Sequence, residues 1–271
     1  MNPARPARSC LPSAAVLELT YRCNHRCLFC CCPWEAADGG FERGAELSLT
    51  DWKECVDRLL VSGVTSFTFS GGESTLFGGL SELIEFAASR AAEHVETVGE
   101  GLVMRAGPPR LFLLTNGREL SDDLLQLCRE REVHLSLSLP GMASYRELTG
   151  SDTDPQRVLG WLRRAHELGV RTTANVTVTR PNLAELERTL GEALCAGADF
   201  LLLNRFLPGG RGLAMAEELA LGPEEIVQML QVAESVLRRA RRRGGTGTEV
   251  PLCLAAGLDL EFLQLSSRCA A

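Results

Sequence analysis

Apolar residues along this chain recur in two rhythms, a period of two or a short solid run over five to eight residues and a period near 3.6 over longer stretches. An apolar run at 15–19 reads as a strand. After a cysteine-rich stretch, Trp52, Val56, Leu59 and Leu60 fall on one face of a helix that Thr50 can cap and Gly63 can stop. The unit then repeats along the chain. Strand 65–70 leads to helix 80–92, strand 111–115 to helix 122–131, and strand 133–139 to a helix that opens on Asp154-Pro155 and ends at Gly169. Strand 171–178 leads to helix 183–196, stopped by Gly197, and strand 200–207 to helix 223–243. Strands alternating with helices in this way predict an α/β fold with a parallel sheet and right-handed crossovers. Six such units suit a partial (β/α)6 TIM-like barrel better than a closed eight-stranded one. On this reading residues 1–14 are an N-terminal extension and 15–245 form the barrel. Residues 94–109 are a hairpin-like insertion around Gly99-Glu100-Gly101.

Composition narrows the function classes by exclusion. The length of 271 residues fits one main domain, and 45% apolar with 23% charged residues is ordinary for a globular chain. Net charge is -7, so no global positive field gathers a nucleic-acid backbone, and nucleic acid is not an expected partner. The basic run at 238–243 suits the negative end of a helix dipole. Pro12 and Glu18 interrupt the apolar stretch behind Arg5 and Arg8, so no signal peptide is read, and no stretch is long and apolar enough for a membrane span. The expected location is cytoplasmic, with no membrane partner. Eleven cysteines in a reducing compartment point to metal or catalytic use rather than disulfides. Cys55, Cys128 and Cys195 stand singly in helical patterns and read as small core residues.

Five cysteines, by contrast, crowd into residues 23–32. Cys23-Asn24-His25-Arg26-Cys27-Leu28-Phe29-Cys30 sets three thiols on one short loop after the first strand, able to hold three corners of a cubane cluster and to leave one iron open. Zinc is the competing reading, completed by Cys31, Cys32 or His25, although a second nearby pair of cysteines is missing. Cys31 and Cys32 are ambiguous, because neighbours on a tight loop do not easily reach one metal. The other strand ends carry Ser70-Gly71-Gly72-Glu73, Thr115-Asn116-Gly117, Ser138-Leu139-Pro140-Gly141, Thr179-Arg180 and Pro208-Gly209-Gly210-Arg211. In parallel α/β folds ligands bind at these ends, so all would face one mouth.

The spacing Cys-x-x-x-Cys-x-aromatic-Cys, with Phe29 as the aromatic, resembles the radical SAM superfamily, and the resemblance extends from about residue 15 to about 211. It implies a 4Fe-4S cluster held by Cys23, Cys27 and Cys30, S-adenosylmethionine (SAM) as cosubstrate and a 5'-deoxyadenosyl radical. It assigns Gly71, Gly72 and Glu73 to the methionyl amine, with Ser74 in place of the usual proline. Ser138 resembles the family serine that contacts ribose or carboxylate, and Arg146 the arginine that pairs with the methionyl carboxylate, while Pro140 stands where aspartate is common. A strand serine and a surface arginine are the plain alternatives for those two, and Asn116 is either a cofactor contact or a turn residue. Arg205 and the Pro208–Arg211 segment are similar to the strand-six signature of enzymes with an auxiliary-cluster domain called SPASM or twitch. Residues 246–271, with Cys253 and Cys269, would then begin such an extension without completing it. Two unremarkable thiols on a terminal helix or strand are the alternative, and an auxiliary iron-sulfur cluster would need a longer form.

The resulting expectation is a radical SAM oxidoreductase of the peptide-maturing type. It would act on a ribosomally made precursor peptide and take electrons from a donor such as flavodoxin or ferredoxin. A protein or small-molecule substrate, as in sulfatase-maturing or cofactor-building enzymes, and a metal-binding scaffold without turnover are the alternatives.

Overall fold

The computed structural model describes residues 13–37, 39–98 and 101–266. In chain order its elements are β1 (Ala14–Glu18), α1 (Leu49–Val61), β2 (Ser66–Ser70), α2 (Leu80–Ala88), β3 (Ala92–Val98), β4 (Gly101–Gly107), β5 (Arg110–Thr115), α3 (Asp122–Glu130) and β6 (His134–Ser138). There follow α4 (Tyr145–Thr149), α5 (Pro155–Leu168), β7 (Thr172–Val178), α6 (Arg180–Leu183), α7 (Leu186–Cys195), β8 (Phe200–Arg205), α8 (Ala216–Leu219), α9 (Pro223–Ala240), β9 (Gly244–Thr246), α10 (Leu252–Ala255) and β10 (Leu263–Gln264). Strands β1-β2-β5-β6-β7-β8-β9-β10 pair in that order into one eight-stranded sheet, parallel throughout. β1 and β10 are its two edges and do not pair with each other, so the barrel is partial. No described helix is long and apolar enough to cross a membrane.

Side-chain alternation along the strands builds two environments from one sheet. Phe67, Phe69, Leu113, Leu135, Leu137, Val176, Val178, Leu201 and Leu203 are buried in one continuous core with the helix residues Leu83, Ile84, Leu125, Leu162, Leu190 and Leu230. Truncating a wholly buried member such as Phe67 to alanine costs roughly 3–5 kcal/mol, the lost transfer energy plus the cavity left behind. The opposite face carries Ser70, Ser138, Asn175, Thr177 and Asn204, half-buried and lining a cavity at the carboxyl ends of the strands.

Boundaries differ from the sequence expectation where local hydrogen bonding decides them. Helix α1 is capped by Ser48 rather than Thr50, because Ser48 and Asp51 bond reciprocally to each other's backbone N–H. Helix α2 ends at Ala88 and not at 92, since Ala92 already opens β3. The expected helix 183–196 is two pieces, α6 and α7, and the expected helix 223–243 stops at Ala240, with Arg241 left-handed at φ 51°. The insertion is an antiparallel pair, β3 with β4, and the turn residues 99 and 100 lie outside the described residues. Cys128 is buried as expected of a core thiol, but Cys55 is half-buried and Cys195 exposed.

The largest difference is at the C-terminus. Residues 244–266, set apart by sequence as mostly a separate extension beginning at 246, continue the barrel sheet through β9 and β10, and Val250 and Leu263 belong to the main core. Buried Glu234 on α9 explains the attachment, since its carboxylate accepts the N–H groups of Phe262 and Leu263 at 3.0 Å each. Cys253 sits exposed on α10, and Cys269 lies outside the described residues.

Candidate functional site

The mouth of the barrel is a cavity of about 490 Å³. The three motif cysteines, Cys23, Cys27 and Cys30, line it together with Phe29, Gly71, Gly72, Glu73, Asn116 and Ser138, so nine of the ten residues singled out from the sequence converge there. Arg146 does not. Its guanidinium is exposed on α4 and pairs with Asp154 at 3.3 Å, the placement of a plain surface arginine. Cys31 and Cys32 also line the cavity.

The cysteine loop owes its shape to its neighbours. On one side Gly72 N–H donates to Thr20 O at 2.8 Å and Glu73 N–H to Arg22 O at 2.9 Å. A Cβ on Gly72 would lie 2.3 Å from the Arg22 carbonyl oxygen, and one on Gly71, at φ 124°, 2.7 Å from that of Thr20. The resemblance assigns these glycines to the methionyl amine; in the structure they also let β2's end approach the cysteine loop. On the other side Arg26 N–H and Leu28 N–H donate to Thr149 O and Leu148 O at 2.9 and 2.8 Å, fastening the loop to α4.

Glu73 is buried and its carboxylate is nearly saturated. Oε1 accepts from Thr75 N–H at 3.2 Å, Thr75 Oγ1 at 2.6 Å and Thr115 Oγ1 at 2.6 Å, and Oε2 accepts Asn116 N–H at 2.7 Å. One lone pair on Oε2 is left for an ammonium group. Asn116 in turn donates through Nδ2 to Asn24 Oδ1 at 2.8 Å, so it too grips the cysteine loop.

Burial and neighbouring thiols push the Cys27 thiol well above its ordinary value. Cys30 goes the other way, lowered to about 7, chiefly because the Cys32 thiol hydrogen-bonds to it. Three polar groups of cavity-lining residues have no protein partner, the Tyr145 hydroxyl and His25 Nε2, on rings packed edge to face at 6.4 Å, and the Trp34 indole Nε1. Burial, with the negative charge of Cys27 and Glu73 behind it, holds the Tyr145 phenol above its usual range. Burial holds His25 down to about 4, so the ring is neutral. Orphaned buried polar atoms normally have a partner, which marks this wall as one that meets a ligand.

Apart from Arg205, the far wall was not read from the sequence. Asn204 Nδ2 donates to Asn175 Oδ1 at 2.8 Å, and Thr177, Arg205 and Thr248 line the cavity beside them. Polar residues at alternate positions near the ends of β7 and β8 were the available signal. Thr248 carried none, because the short β9 before it has no periodic pattern of its own.

The donor chemistry fits an iron-sulfur cluster with a vacant corner: three thiols on one loop face a common cavity with room beside them. Among the described residues no group of three or more His, Cys, Asp or Glu is arranged around a single metal ion. A structural zinc site would need four such ligands converging.

Fold and site together define a parallel α/β barrel domain built around a thiol-lined mouth. The chain belongs to the Radical SAM superfamily, whose model matches residues 17–193. Its cofactors are those of the family, a 4Fe-4S cluster and SAM. The sporulation killing factor maturation protein SkfB of Bacillus subtilis strain 168 is 25% identical over 239 residues, 88% of this chain and 52% of its own. The PqqA peptide cyclase of Rhodopseudomonas palustris is 30% identical over 197 residues, 70% of this chain and 46% of its own. The chain therefore spans about half the length of the curated relatives it matches. In fold it is similar to Streptococcus suis SuiB bound to S-adenosylmethionine, with a TM-score of 0.67 at 16% identity over 93% of this chain and 53% of that one.

Proposed function

We propose that this chain is the SAM-cleaving barrel of a radical SAM oxidoreductase that modifies a ribosomally made precursor peptide. In this reading Cys23, Cys27 and Cys30 ligate the cluster. Gly71, Gly72 and Glu73 hold the methionyl end of SAM, and Phe29, Asn116 and Ser138 complete its surroundings. When bound, the cluster supplies the electron that splits SAM, and the radical released removes a hydrogen atom from the substrate. The chain's own part is to hold three thiolates rigidly, to offer the remaining Oε2 lone pair of Glu73 to an ammonium group, and to shield the cavity floor from water.

The observation that carries this reading is the meeting of the three motif thiols with the Gly71–Glu73 segment in one cavity. Relatives named as a peptide maturation protein and a peptide cyclase support the peptide substrate. A cytoplasmic setting and a flavodoxin- or ferredoxin-type electron donor follow from the same reading. Its auxiliary-cluster part rests on exposed Cys253 and on Cys269, and iron counting on the reconstituted protein tests it. One 4Fe-4S cluster gives about four irons per chain, and a second gives more.

The main test is anaerobic reconstitution with iron and sulfide, reduction in the presence of SAM, and measurement of deoxyadenosine. Cys27→Ala should lose both the cluster and all SAM cleavage. A Cys27→Ala protein that still forms deoxyadenosine at the parental rate would sink the assignment.

A further inference from the structure

The strap that follows β8 closes over the cysteine loop from the outside. Gly212 N–H donates to Cys30 O at 3.1 Å, and Gly210, at φ 50°, lies so close that a Cβ there would stand 2.2 Å from Cys32 O and 2.8 Å from Cys30 O. Arg211, between these two glycines, donates through Nη1 to Cys27 O at 3.1 Å. Its Nη2 pairs with Glu35, at the end of the single 3₁₀ turn Pro33–Glu35 that follows the cysteine run. Both side chains line the cavity and are largely shielded, 23% exposed for Arg211 and 20% for Glu35. Arg43, which also binds Glu35 at 3.1 Å, is 53% exposed and stands outside. Holding the loop's backbone needs only a hydrogen-bond donor. A full cation facing a full anion at the rim of this cavity does something more.

We propose that Arg211 and Glu35 form a charge pair that sets the reduction potential of the cluster, Arg211 favouring the reduced state and Glu35 opposing it. The inference rests on the reading of Cys23, Cys27 and Cys30 as ligands. Reduction adds one electron to the cluster, so the state formed carries one more negative charge. A cation held against the ligand loop stabilises that state and an anion destabilises it, and partial shielding from water lets either charge act with less screening than at the surface. Charge and hydrogen bonding around the sulfurs are among the determinants of such potentials. Arg211 acts through the loop and is a positioning residue.

The test is a dithionite titration of the reconstituted full chain without SAM, following the one-electron reduced cluster by electron paramagnetic resonance, with iron content measured alongside. Arg211→Gln keeps a donor for Cys27 O but removes the cation, and its potential should move to more negative values. Glu35→Gln should move it to more positive values, Arg211→Lys should stay near the parental value, and Arg43→Gln should move it less than either charge-pair variant. The double variant should fall between the two single ones. Opposite signs at equal iron content are not what a purely structural clasp produces. If Arg211→Gln cannot hold iron, Glu35→Gln decides the matter. An unmoved potential in Glu35→Gln, or shifts of the same sign in both variants, overturns the proposal. Iron retained in Cys27→Ala would instead overturn the ligand reading on which it rests.

Discussion

The two walls of the cavity use their polar groups in opposite ways. On the near wall, formed by the ends of β2 and β5, Glu73 accepts four hydrogen bonds from within the protein and Asn116 grips Asn24. Gly71 and Gly72 lie against backbone. On the far wall, at the ends of β7 and β8, the Asn175–Asn204 pair makes one contact between its two amides, and no described residue takes the Asn175 Nδ2 donor or the Thr177 hydroxyl. A saturated wall is rigid and suits a group that never varies. A wall with free donors and acceptors suits a ligand that differs from one enzyme to the next. On the proposed function, the near wall would frame the cofactors and the far wall would be free to meet a substrate.

Breaking the near wall should have the largest effect. In Gly72→Ala the new methyl has no space against the Arg22 carbonyl, which is backbone and cannot swing aside. The cost is roughly 1–3 kcal/mol of strain, taken up by displacing the cysteine loop, so iron content after reconstitution should fall several-fold. Gly191→Ala is the control, since a Cβ there meets nothing within 4 Å and α7 should gain up to about 1 kcal/mol. Iron content and thermal unfolding of the two variants check the contrast. Equal iron binding in both would mean that the near wall is not a rigid frame.

Probing the far wall should give a smaller and different change. Asn204→Leu removes one amide and leaves Asn175 Oδ1 without its donor. One lost neutral hydrogen bond is worth about 0.5–1.5 kcal/mol, roughly two- to tenfold in binding. Iron content should be unchanged while the KM for a peptide substrate rises by that factor. If iron binding fell instead, the division of labour between the walls would be wrong.

How much of this was legible in the sequence follows the same division. The strands and helices showed themselves because one face of each is apolar and meets the core, so Phe67, Leu135 and Val176 mark both element and orientation. The cysteine loop was legible because its spacing is itself the chemistry. Only the Thr75 partner of Glu73 is local; the hydrogen bonds from Thr115 and Asn116 were not legible, since they come from a segment that only folding brings beside it. Arg146 was misplaced for the same reason: sequence puts it near the mouth, and the turn of α4 points it outward to Asp154. β9 and β10, at three and two residues, are too short for any periodicity, and what fixes them is a carboxylate on α9.

That carboxylate supplies the last prediction, with the smallest expected effect on the mouth, in a region that serves neither wall directly. Glu234 is buried, bonded to the Phe262 and Leu263 N–H groups at 3.0 Å and paired with Arg238 at 2.9 Å. Burial alone would push its carboxyl up, but the Arg238 guanidinium and the backbone donors outweigh burial and hold it below the usual carboxylate range. The folded state therefore binds this proton less tightly than the unfolded chain does. Its stabilisation is complete above the ordinary glutamate value of about 4.3 and is lost as pH falls through the lower folded value. Glu234→Gln replaces one oxygen acceptor by a donor facing two N–H groups, which should cost roughly 1–3 kcal/mol near neutral pH. Below about pH 4 the variant should lose stability less steeply than the parent, because it has no carboxylate left to protonate. Thermal unfolding across that range, with iron content as a check that the mouth is untouched, measures both effects. Parallel pH profiles would show that Glu234 does not hold the last strand through its charge.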